Sequence, residues 1–411
     1  MKYYLIGYPL GYSCSPLIHS LFTKGIDYEC KKLNEEEFDT FMKEKNFDAI
    51  NVTIPYKEKV MKYLDVIDQK ALEIGAINTI VNVDGVLYGY NTDIDGVHNS
   101  FRNNHVSLKN KVVMILGSGG SYHTISTLCK ELKVKKLYSV SRTPRDEFIS
   151  YEEAITKEDV EILINATPVG TYPNVDKSPI DISNFKNLEF IFDMIYNPLE
   201  TELLYQGRLR NITTINGLET LVYQAKKAEE YFFNKKIRYR KYLRVYEKML
   251  KENSSLVLIG LPGSGKTTIG KKLAKKLHYT FFDTDEEIEK EEGMTVKEIF
   301  KEKGEAYFRQ KEEEIIKRIY LEKKLVISTG GGMIENPTIM RLLTYNSKFI
   351  YLDRLMSKHL YGGKRPLLKN EDDYRLLKER RTPLYEKYAD IHVTEDNETA
   401  LERILEQLWK S

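Results

Sequence analysis

A glycine-rich turn follows a short apolar run near residue 260. Residues 256–259 predict a buried parallel strand, the next residues read G-x-x-x-x-G-K-T, and an amphipathic helical pattern continues to Leu277. Backbone N–H groups in such a turn point at phosphate oxygens, and the helix N-terminus adds positive charge. The pattern favours a nucleoside triphosphate site, a P-loop, over a strand-to-helix connection without a ligand. The residues assigned to this site are Gly263, Ser264, Gly265, Lys266, Thr267 and Thr268.

Within this turn, Lys266 is expected to reach the outer phosphates and Thr267 to bind Mg²⁺. Asp283 and Asp285 end the next apolar run, so that one carboxylate can hold Mg²⁺ while the other activates an acceptor hydroxyl. Either aspartate also suits a helix cap or a charged turn. A third run opens into three glycines at 330–332, which leaves the backbone bare for a ligand. Arginine pairs well with carboxylate and phosphate, and arginines stand near this set at positions 309, 365 and 381.

A second glycine-rich turn lies in the first half of the chain. The apolar run 112–116 precedes it, and another predicted strand, 136–140, follows the intervening helical pattern at the distance of a dinucleotide site. Sites for NAD usually place an acidic residue after that second strand, whereas this chain has Ser-Arg-Thr-Pro-Arg. Two guanidinium groups and two hydroxyls suit a 2′-phosphate, so NADP is favoured, although both arginines could instead be solvated loop charges. The assigned residues are Gly117, Ser118, Gly119, Gly120, Ser121, Ser141, Arg142, Thr143 and Arg145.

One residue of this turn departs from the dinucleotide-binding pattern. Tyr122 occupies the third glycine position of G-x-G-x-x-G, which is normally small so that helix and strand pack closely. We expect the tyrosine to push the helix outward or to change the path of the loop.

Polar residues also follow the predicted strands of the first hundred residues. Ser13 and Ser15 precede a helix, Lys57 lies just after a strand end, and Asp93 opens another helix. Taken singly, the serines and Asp93 suit helix caps and Lys57 suits a solvated surface charge. Positions at the carboxyl end of a strand are, however, where α/β folds bind ligands.

Four motifs that occur in order in this region favour ligand binding over the helix-cap and surface-charge interpretations. They are Ser-x-Ser-Pro at 13–16, Asn-Val-Thr-Ile-Pro-Tyr-Lys at 51–57, Gly-Ala-Ile-Asn-Thr at 75–79 and Asn-Thr-Asp at 91–93. Together they resemble the substrate domain of shikimate dehydrogenase, and three later motifs extend the resemblance over residues 1–245. The resemblance implies that Lys57 and Asp93 form the catalytic pair. Implied substrate contacts are Ser13, Ser15, Thr53, Asn78, Asp93, Tyr196 and Gln224, while Met194 and Gly217 lie near the nicotinamide. Thr220 departs from the family's usual methionine.

The second half resembles shikimate kinase over residues 255–411. This resemblance implies Asp285 as the base or anchor for the attacked hydroxyl and Asp283 as a Mg²⁺ partner. It implies that Arg309 and Arg381 bind the substrate carboxylate and that Gly331 lies close to the substrate. Arg365 is expected on a lid, where it stabilises the transferring phosphate. The segment 357–364, which leads to Arg365, is a little shorter than is usual for the family.

The predicted architecture is α/β throughout. Residues 1–98 and 215–250 form the substrate domain, 99–214 an NADP-binding Rossmann domain, and 254–411 a P-loop NTPase-like kinase domain with a parallel sheet. Residues 225–253 show a helical pattern with apolar residues at spacings of three or four. Basic and aromatic residues alternate in this stretch, but acids are mixed in, which favours a solvated helix over an RNA-binding segment.

Composition limits the function classes. The 411 residues are 41% hydrophobic and 30% charged with a net charge of +2, which argues against a nucleic-acid binder. Three widely spaced cysteines suit a reducing cytoplasm, and seven histidines form no zinc motif. No apolar run is long enough for a membrane span, and residues 1–7 suit a first strand better than a signal peptide. Oligomeric state stays open, a homo-oligomer included.

The two resemblances together predict a bifunctional enzyme of aromatic amino acid biosynthesis. The first half would reduce 3-dehydroshikimate to shikimate with NADPH, and the second would phosphorylate shikimate with MgATP. Two alternatives remain at this stage. The dehydrogenase half could bind without turning over, or it could use quinate.

Overall fold

The computed structural model describes residues 1–11, 13–354 and 371–409, so Arg365 and the segment 357–364 lie outside the described residues. The chain divides into two compact units, Met1–Met249 and Leu250–Ser411. None of the helices in the described ranges has the length and apolar character needed to cross a membrane.

A mixed sheet occupies the first ninety residues. Its strands are β1 (Tyr3–Gly7), β2 (Tyr28–Lys32), β3 (Ala49–Val52), β4 (Val66–Ile67), β5 (Thr79–Val83) and β6 (Val86–Tyr90). The helices are α1 (Ser15–Phe22), α2 (Glu35–Glu44), α3 (Tyr56–Lys59), α4 (Gln69–Ile74) and α5 (Asp93–Asn103). For the described residues the strand order is β2-β1-β3-β5-β6-β4. Asp84 and Gly85 both have positive φ between antiparallel β5 and β6, as a two-residue hairpin turn requires.

Strand register in this sheet brings separate motifs to one edge. β3 and β5 pair antiparallel with Asn51 opposite Thr79, and β5 and β6 pair antiparallel with Thr79 opposite Tyr90. The end of β3, the start of β5 and the end of β6 therefore coincide. The segments that follow or precede them carry Lys57, Asn78 and Asp93, so the pairing itself assembles residues that are far apart in sequence.

The second sheet is parallel throughout. Its strands are β7 (Val112–Leu116), β8 (Lys136–Val140), β9 (Phe148–Ile149), β10 (Ile162–Asn165), β11 (Phe190–Asp193) and β12 (Thr213–Ile215), with helices α6 (Gly120–Glu131), α7 (Tyr151–Ala154) and α8 (Glu202–Leu209). Within the described part of the chain the order is β12-β11-β10-β7-β8-β9. In sequence order this is 3-2-1-4-5-6, the doubly wound order of Rossmann folds, as predicted. The glycine-rich turn follows β7, next to the point where the strand order reverses.

Tyr122 is accommodated inside the core of this sheet. The side chain is 6% exposed, its ring packs on Phe148 with centroids 4.8 Å apart, and its hydroxyl lies 2.9 Å from Ser139 Oγ. Because Ser139 is a small residue of β8, the ring has room beside the strand. The helix α6 still begins at Gly120, the second of the paired glycines.

Two helices, rather than one continuous pattern, occupy residues 218–253. They are α9 (Leu218–Phe232) and α10 (Tyr239–Asn253), and they are separated by a short connection. Asn234 adopts a positive φ of 45° in this connection, and the Ile237 N–H donates to Glu230 Oε1 at 2.8 Å. The prediction of helix across 225–253 was therefore wrong at 233–238. The apolar residues have helical spacing in both helices, so this spacing alone did not reveal the break, which depends on local polar contacts.

The third sheet lies in the second unit. Its strands are β13 (Ser255–Ile259), β14 (Thr280–Asp283), β15 (Leu325–Ser328), β16 (Ser347–Leu352) and β17 (Ile391–Val393). The helices are α11 (Lys266–Leu277), α12 (Thr284–Glu292), α13 (Val296–Glu302), α14 (Gly304–Ile319), α15 (Pro337–Thr344), α16 (Glu371–Tyr388) and α17 (Asn397–Gln407). Over the residues that the structure describes, all pairings are parallel and the order is β14-β15-β13-β16-β17. This confirms the predicted parallel sheet.

The central strand β13 shows why its sequence is a continuous apolar run. Val257 and Ile259 belong to one buried cluster, whereas Leu256 and Leu258 belong to the cluster on the opposite face. Helices therefore cover the sheet on both sides, and each residue of the strand removes apolar surface from water.

A fully buried carboxyl ties the ends of β10 and β11 to α8. Asp193 Oδ1 accepts from Asn165 Nδ2 and from the Ile195 N–H, both at 3.0 Å, and Oδ2 accepts from Thr201 Oγ1 at 2.7 Å. Burial nevertheless raises the pKa of the Asp193 carboxyl to about 7, against the opposing effect of these donors.

We predict that Asp193→Asn changes how stability depends on pH. The folded protein holds the Asp193 proton more tightly than the unfolded chain does, so its free energy of unfolding falls as pH rises from about 4 to about 7. Between pH 5 and pH 8 this loss is roughly 2–3 kcal/mol, and an asparagine does not incur it. Hydrogen exchange of peptides from β10 and β11 measures the effect. Equal pH dependence in both proteins would contradict it.

Candidate active sites

A cavity of about 280 Å³ lies in the first unit at the edge where β3, β5 and β6 meet. Loops from the first sheet, the segment after β11 and the start of α9 all contribute to its lining. The predicted site residues among the lining are Ser13, Ser15, Thr53, Lys57, Asn78, Asp93, Met194, Tyr196, Gly217 and Gln224. The structure thus brings together all the residues predicted for substrate and nicotinamide.

Lys57 and Asp93 form an ion pair in this cavity. Lys57 Nζ lies 2.6 Å from Asp93 Oδ2, and the two side chains are 15% and 13% exposed. Limited water contact strengthens the attraction between the charges and restricts the ammonium to one position. The pair can therefore present a fixed proton donor to an oxygen atom bound in the cavity.

Asn91 leaves the Asp93 carboxylate available for that ion pair. Asn91 Oδ1 accepts from the backbone N–H groups of Asp93 and Ile94, at 3.1 and 3.3 Å. Asn91 Nδ2 in turn donates to Ala76 O at 2.8 Å. Because Asn91 satisfies the first free N–H groups of α5, the helix-cap interpretation of Asp93 is wrong.

Asn78 is held by residues that the sequence did not single out. Asn78 Nδ2 donates to Thr92 Oγ1 at 3.0 Å, and Asn78 Oδ1 accepts from the Thr92 N–H at 2.7 Å. Asn51 Nδ2 donates to Asn78 O at 3.1 Å, and Asn51 Oδ1 accepts from Tyr28 OH at 2.7 Å. Both Asn51 and Thr92 are buried polar residues. They lie inside the motifs quoted above, and this position is the sequence feature that could have identified them.

The two serines combine local and ligand-facing positions. Ser13 Oγ accepts from the Ser15 N–H at 3.2 Å, which is a capping interaction at the start of α1. Both serines also line the cavity. On the opposite side, Gly217 allows α9 to approach the segment after β11, because a Cβ on Gly217 would lie 2.0 Å from Met194 O.

The glycine-rich turn after β7 offers hydroxyls and open space for a dinucleotide. Ser118 Oγ and Ser141 Oγ lie 3.3 Å apart, and Ser141 Oγ accepts from the Thr143 N–H at 3.2 Å. A Cβ built on Gly119 would meet no atom within 4 Å, so a phosphate group has room beside the helix start. Arg142 and Arg145 are exposed and follow the end of β8, the strand end near which dinucleotide sites bind the ribose. These residues fit NADP.

A second cavity, of about 490 Å³, lies in the second unit at the carboxyl ends of β13, β14 and β15. Leu258 and Asp283 both pair with Ser328, so the P-loop, the aspartates and the glycine run share one edge. The predicted residues in the lining are Gly263, Gly265, Lys266, Thr267, Thr268, Asp283, Asp285, Arg309, Gly331 and Arg381. Ser264 is buried beside them, with its hydroxyl unpaired among the described residues.

Thr267 and Asp283 converge as a pair of oxygen ligands. Thr267 Oγ1 donates to Asp283 Oδ2 at 2.8 Å, while Asp283 Oδ1 caps α12 by accepting from the Asp285 N–H at 3.1 Å. One carboxylate and one hydroxyl beside a phosphate site fit Mg²⁺, which takes its remaining ligands from water and phosphate. Lys266 Nζ donates to Gly260 O and Leu261 O, which places the ammonium under the P-loop.

Asp285 is a half-buried residue whose carboxyl group faces the same cavity. Its Oδ1 atom is buried and has no hydrogen-bond partner among the described residues. Burial raises the pKa of Asp285 to about 6, and the neighbouring Asp283 adds to the shift. A carboxyl with this pKa is ionised near neutral pH and accepts a proton more readily than an exposed aspartate does.

Each candidate carboxylate-binding arginine already pairs with glutamates that the sequence analysis missed. Arg309 Nη1 donates to Glu312 Oε2 at 2.7 Å and Nη2 donates to Glu305 Oε1 at 2.9 Å. The helical spacing of these glutamates from Arg309 is the sequence feature that could have identified them. Burial raises the pKa of Glu312 to about 7. Arg381, only 1% exposed, donates to Glu335 Oε2 at 2.8 Å. Gly331 O accepts from Tyr385 OH at 2.7 Å.

Known proteins resemble both units. The family model for the shikimate dehydrogenase substrate binding domain matches residues 5–80. A shikimate dehydrogenase (NADP(+)) of Clostridium beijerinckii is 40% identical over 247 residues, covering 56% of this chain and 91% of that protein. This chain belongs to the shikimate dehydrogenase family. The family model for shikimate kinase matches residues 262–410, so the dehydrogenase is fused to a shikimate kinase domain, as predicted.

Solved structures support the same assignment. Shikimate dehydrogenase 1 from Peptoclostridium difficile shares 36% identity at a TM-score of 0.57, covering 61% of this chain and 98% of that chain. A chorismate mutase/shikimate 5-dehydrogenase fusion protein from Clostridium acetobutylicum shares 34% identity at a TM-score of 0.56, covering 60% and 96%. A shikimate dehydrogenase solved in complex with NADP⁺ shares 30% identity at a TM-score of 0.54, covering 61% and 96%.

We predict that Asn91→Ala lowers the kcat of the dehydrogenase about tenfold, because Asp93 loses the cap that orders its helix turn. Loss of the cap should also cost about 1–2 kcal/mol of stability. Asn34→Ala is the matched control, since Asn34 Oδ1 caps α2 by the same two-donor arrangement and α2 contributes no lining residue. Steady-state kinetics and thermal unfolding of both variants give the comparison. Equal loss of kcat in the two would contradict a specific role for Asn91.

Proposed function

We propose that this chain reduces 3-dehydroshikimate to shikimate with NADPH and phosphorylates shikimate to shikimate 3-phosphate with ATP. The observation that carries the proposal is the presence of both family matches in one chain, because the product of the first reaction is the substrate of the second. The two cavities support it, since each contains the side chains that its reaction requires. The enzyme would serve chorismate and aromatic amino acid biosynthesis.

In the dehydrogenase cavity, hydroxyl and amide groups would bind the substrate's hydroxyls and carboxylate. Ser13, Ser15, Thr53, Asn78 and Gln224 supply these groups from separate loops and from α9. Tyr196 completes the substrate contacts and Met194 packs near the nicotinamide. Because buried polar partners reject ligands that leave them unpaired, this arrangement favours a polyhydroxylated acid.

Lys57 would act as the proton donor for reduction. NADPH supplies the hydride when it is bound. Lys57 Nζ donates a proton to the former carbonyl oxygen as the new C–H bond forms, and the neutral amine then regains a proton from solvent. Asp93, 2.6 Å away, orients the ammonium and stabilises its charge before transfer. Oxidation of shikimate runs through the same groups in reverse.

In the kinase cavity, Asp285 would accept the proton of the attacked hydroxyl as the bond to phosphorus forms. The raised pKa of Asp285 supports this role. Mg²⁺ supplies charge neutralisation on the phosphates when it is bound. Lys266 and the P-loop N–H groups bind the phosphates of ATP, and Thr267 with Asp283 would hold the metal.

Two arginines would bind the carboxylate of shikimate. Arg309 and Arg381 both line the kinase cavity, and Gly331 adjoins them. Their bonds to Glu312 and Glu335 keep the guanidinium groups in place before substrate arrives. Arg365 would stabilise the transferring phosphate and lies outside the described residues.

We place the substrate domain at 1–98 and 215–250, the NADP domain at 99–214 and the kinase domain at 254–411. A cytoplasmic location is proposed because the three cysteines are widely spaced along the chain, which suits a reducing compartment.

A coupled assay tests the proposed function. The purified chain is given 3-dehydroshikimate, NADPH and MgATP, and NADPH oxidation and shikimate 3-phosphate are followed together. Both should appear, and omission of ATP should stop the sequence at shikimate. Failure of the folded protein to oxidise NADPH while it phosphorylates added shikimate would leave a kinase with a binding module. Equal turnover of quinate would overturn the assigned dehydrogenase substrate.

We predict reciprocal losses in two active-site variants. Lys57→Met should lower the dehydrogenase kcat by on the order of 10²–10⁴ and spare the kinase, because it removes the proton donor. Asp285→Asn, which keeps the shape of the side chain, should lower the kinase kcat by a similar factor and spare the dehydrogenase. Each activity is the internal control for the other in the same sample. Loss of both activities in either variant would contradict separate sites.

We also predict that Arg142→Ala combined with Arg145→Ala raises the KM for NADP⁺ at least tenfold more than the KM for NAD⁺. Removal of the two guanidinium groups leaves the 2′-phosphate without charged partners, whereas NAD⁺ lacks that group. Steady-state kinetics of shikimate oxidation with each cofactor provide both constants. Equal increases for NAD⁺ and NADP⁺ would refute a role in binding the 2′-phosphate.

A further inference from the structure

Glu219 is a buried carboxylate that receives an unusual number of hydrogen bonds. It lies in the first turn of α9 and is 6% exposed. Five side chains from α5, its C-terminal end and α10 donate to it. The donors are Asn99 Nδ2 (3.2 Å), Ser100 Oγ (3.3 Å), Asn103 Nδ2 (2.5 Å), Asn104 Nδ2 (3.1 Å) and Tyr242 OH (2.9 Å).

The charge of Glu219 is compensated by neutral groups. Among the described residues, no lysine or arginine forms an ion pair with this carboxylate. A buried carboxylate requires hydrogen-bond donors to replace the water that it loses, and the five donors meet that requirement. The partial positive charge at the start of α9 adds to the compensation. These hydrogen bonds consequently fix the positions of the donor side chains as well as that of the carboxylate.

The helices that Glu219 joins carry the reacting groups of the dehydrogenase. Asp93 is the first residue of α5, and Thr220 and Gln224 of α9 line the cavity. The two helices also touch closely one turn after Asp93, because a Cβ on Gly96 would lie 2.6 Å from Thr220 O. This contact is between a glycine and a backbone atom, so it permits close approach without interlocking side chains. Glu219, the neighbour of Thr220, supplies the hydrogen bonds that join the two helices.

We propose that Glu219 is a positioning residue of the dehydrogenase, which fixes the crossing of α5 and α9 and thereby the placement of Asp93 and Gln224 around the substrate. The inference rests on the proposed reductase function. Glu219 itself is absent from the cavity lining and acts through the residues on both helices. A change in the crossing moves Asp93 relative to Lys57, so it affects proton transfer before it affects cofactor binding.

Tyr242 makes α10 part of the same arrangement. Its side chain is fully buried, and its hydroxyl both donates to Glu219 and accepts from Asn99 Nδ2 at 3.3 Å. Burial and the nearby Glu219 raise the pKa of Tyr242, so the hydroxyl stays a donor throughout the working pH range. The helix α10 continues past Met249 to Asn253. The geometry of the dehydrogenase site therefore depends on the helix that leads into the kinase sequence.

Glu219→Gln tests the proposal in the full-length chain. The variant keeps the side-chain shape, removes the charge and turns an amide toward groups that are themselves donors. We expect kcat for shikimate oxidation to fall about tenfold, while the KM for NADP⁺ and the kinase kcat in the same sample stay within twofold. Tyr242→Phe, which removes one donor, should lower the dehydrogenase kcat two- to threefold. Tyr239→Phe on the same helix, at a residue 40% exposed, is the matched control and should leave it unchanged.

Several outcomes would overturn the inference. An unchanged dehydrogenase kcat in Glu219→Gln, even with a lowered Tm, would show that Glu219 serves stability alone. Parallel losses of kcat and of NADP⁺ affinity would point to general disorder of the unit. If Glu219→Gln does not fold, the comparison of Tyr242→Phe with Tyr239→Phe decides, and equal rates would refute the proposal. Absence of dehydrogenase activity in the unaltered chain would instead refute the proposed function.

Discussion

The direction of strands within each sheet is the constraint on which both cavities depend. In the parallel sheets the carboxyl ends of neighbouring strands meet at one edge. In the first sheet, the antiparallel pairings of β5 with β3 and with β6 bring the start of β5 to the ends of both strands. Loops at that edge take no part in the hydrogen bonds between strands, so they can carry polar and glycine residues without weakening strand pairing. Lys57, Asn78, the dinucleotide turn and the P-loop all lie at such edges.

Polar side chains then fix these loops where backbone pairing ends. Asn91 caps α5 so that the carboxylate of Asp93 reaches Lys57, and Thr92 holds Asn78 through two hydrogen bonds. In the second unit, Glu312 and Glu335 hold the two arginines of the cavity. Because these side chains are paired within the protein, the parts of the sites that they hold keep their geometry before any ligand binds. Preorganisation of this kind lowers the cost of ordering side chains during the reaction.

Burial raises the pKa of a carboxyl group in each of the two units, with different consequences. Asp193 and Asp285 both have pKa values well above the ordinary range because the protein interior disfavours the charged form. Asp193 uses its three donors to join two strands and a helix, whereas Asp285 keeps one oxygen unpaired toward a cavity. The same physical effect therefore supports structure at one position and prepares a proton acceptor at the other. What differs is the number of donors that surround each carboxyl.

Much of this protein follows from its sequence alone. Apolar runs before glycine turns identified β7 and β13, and motif order identified both families, because these signals lie within short segments. Tertiary structure decided what segments far apart share: Asn51 and Thr92 around Asn78, Glu335 beside Arg381, and the five donors to Glu219. The break between α9 and α10 also escaped the apolar spacing, since it depends on local polar contacts near Asn234. Local patterns specify elements, whereas burial and hydrogen-bond partners exist only once those elements have packed.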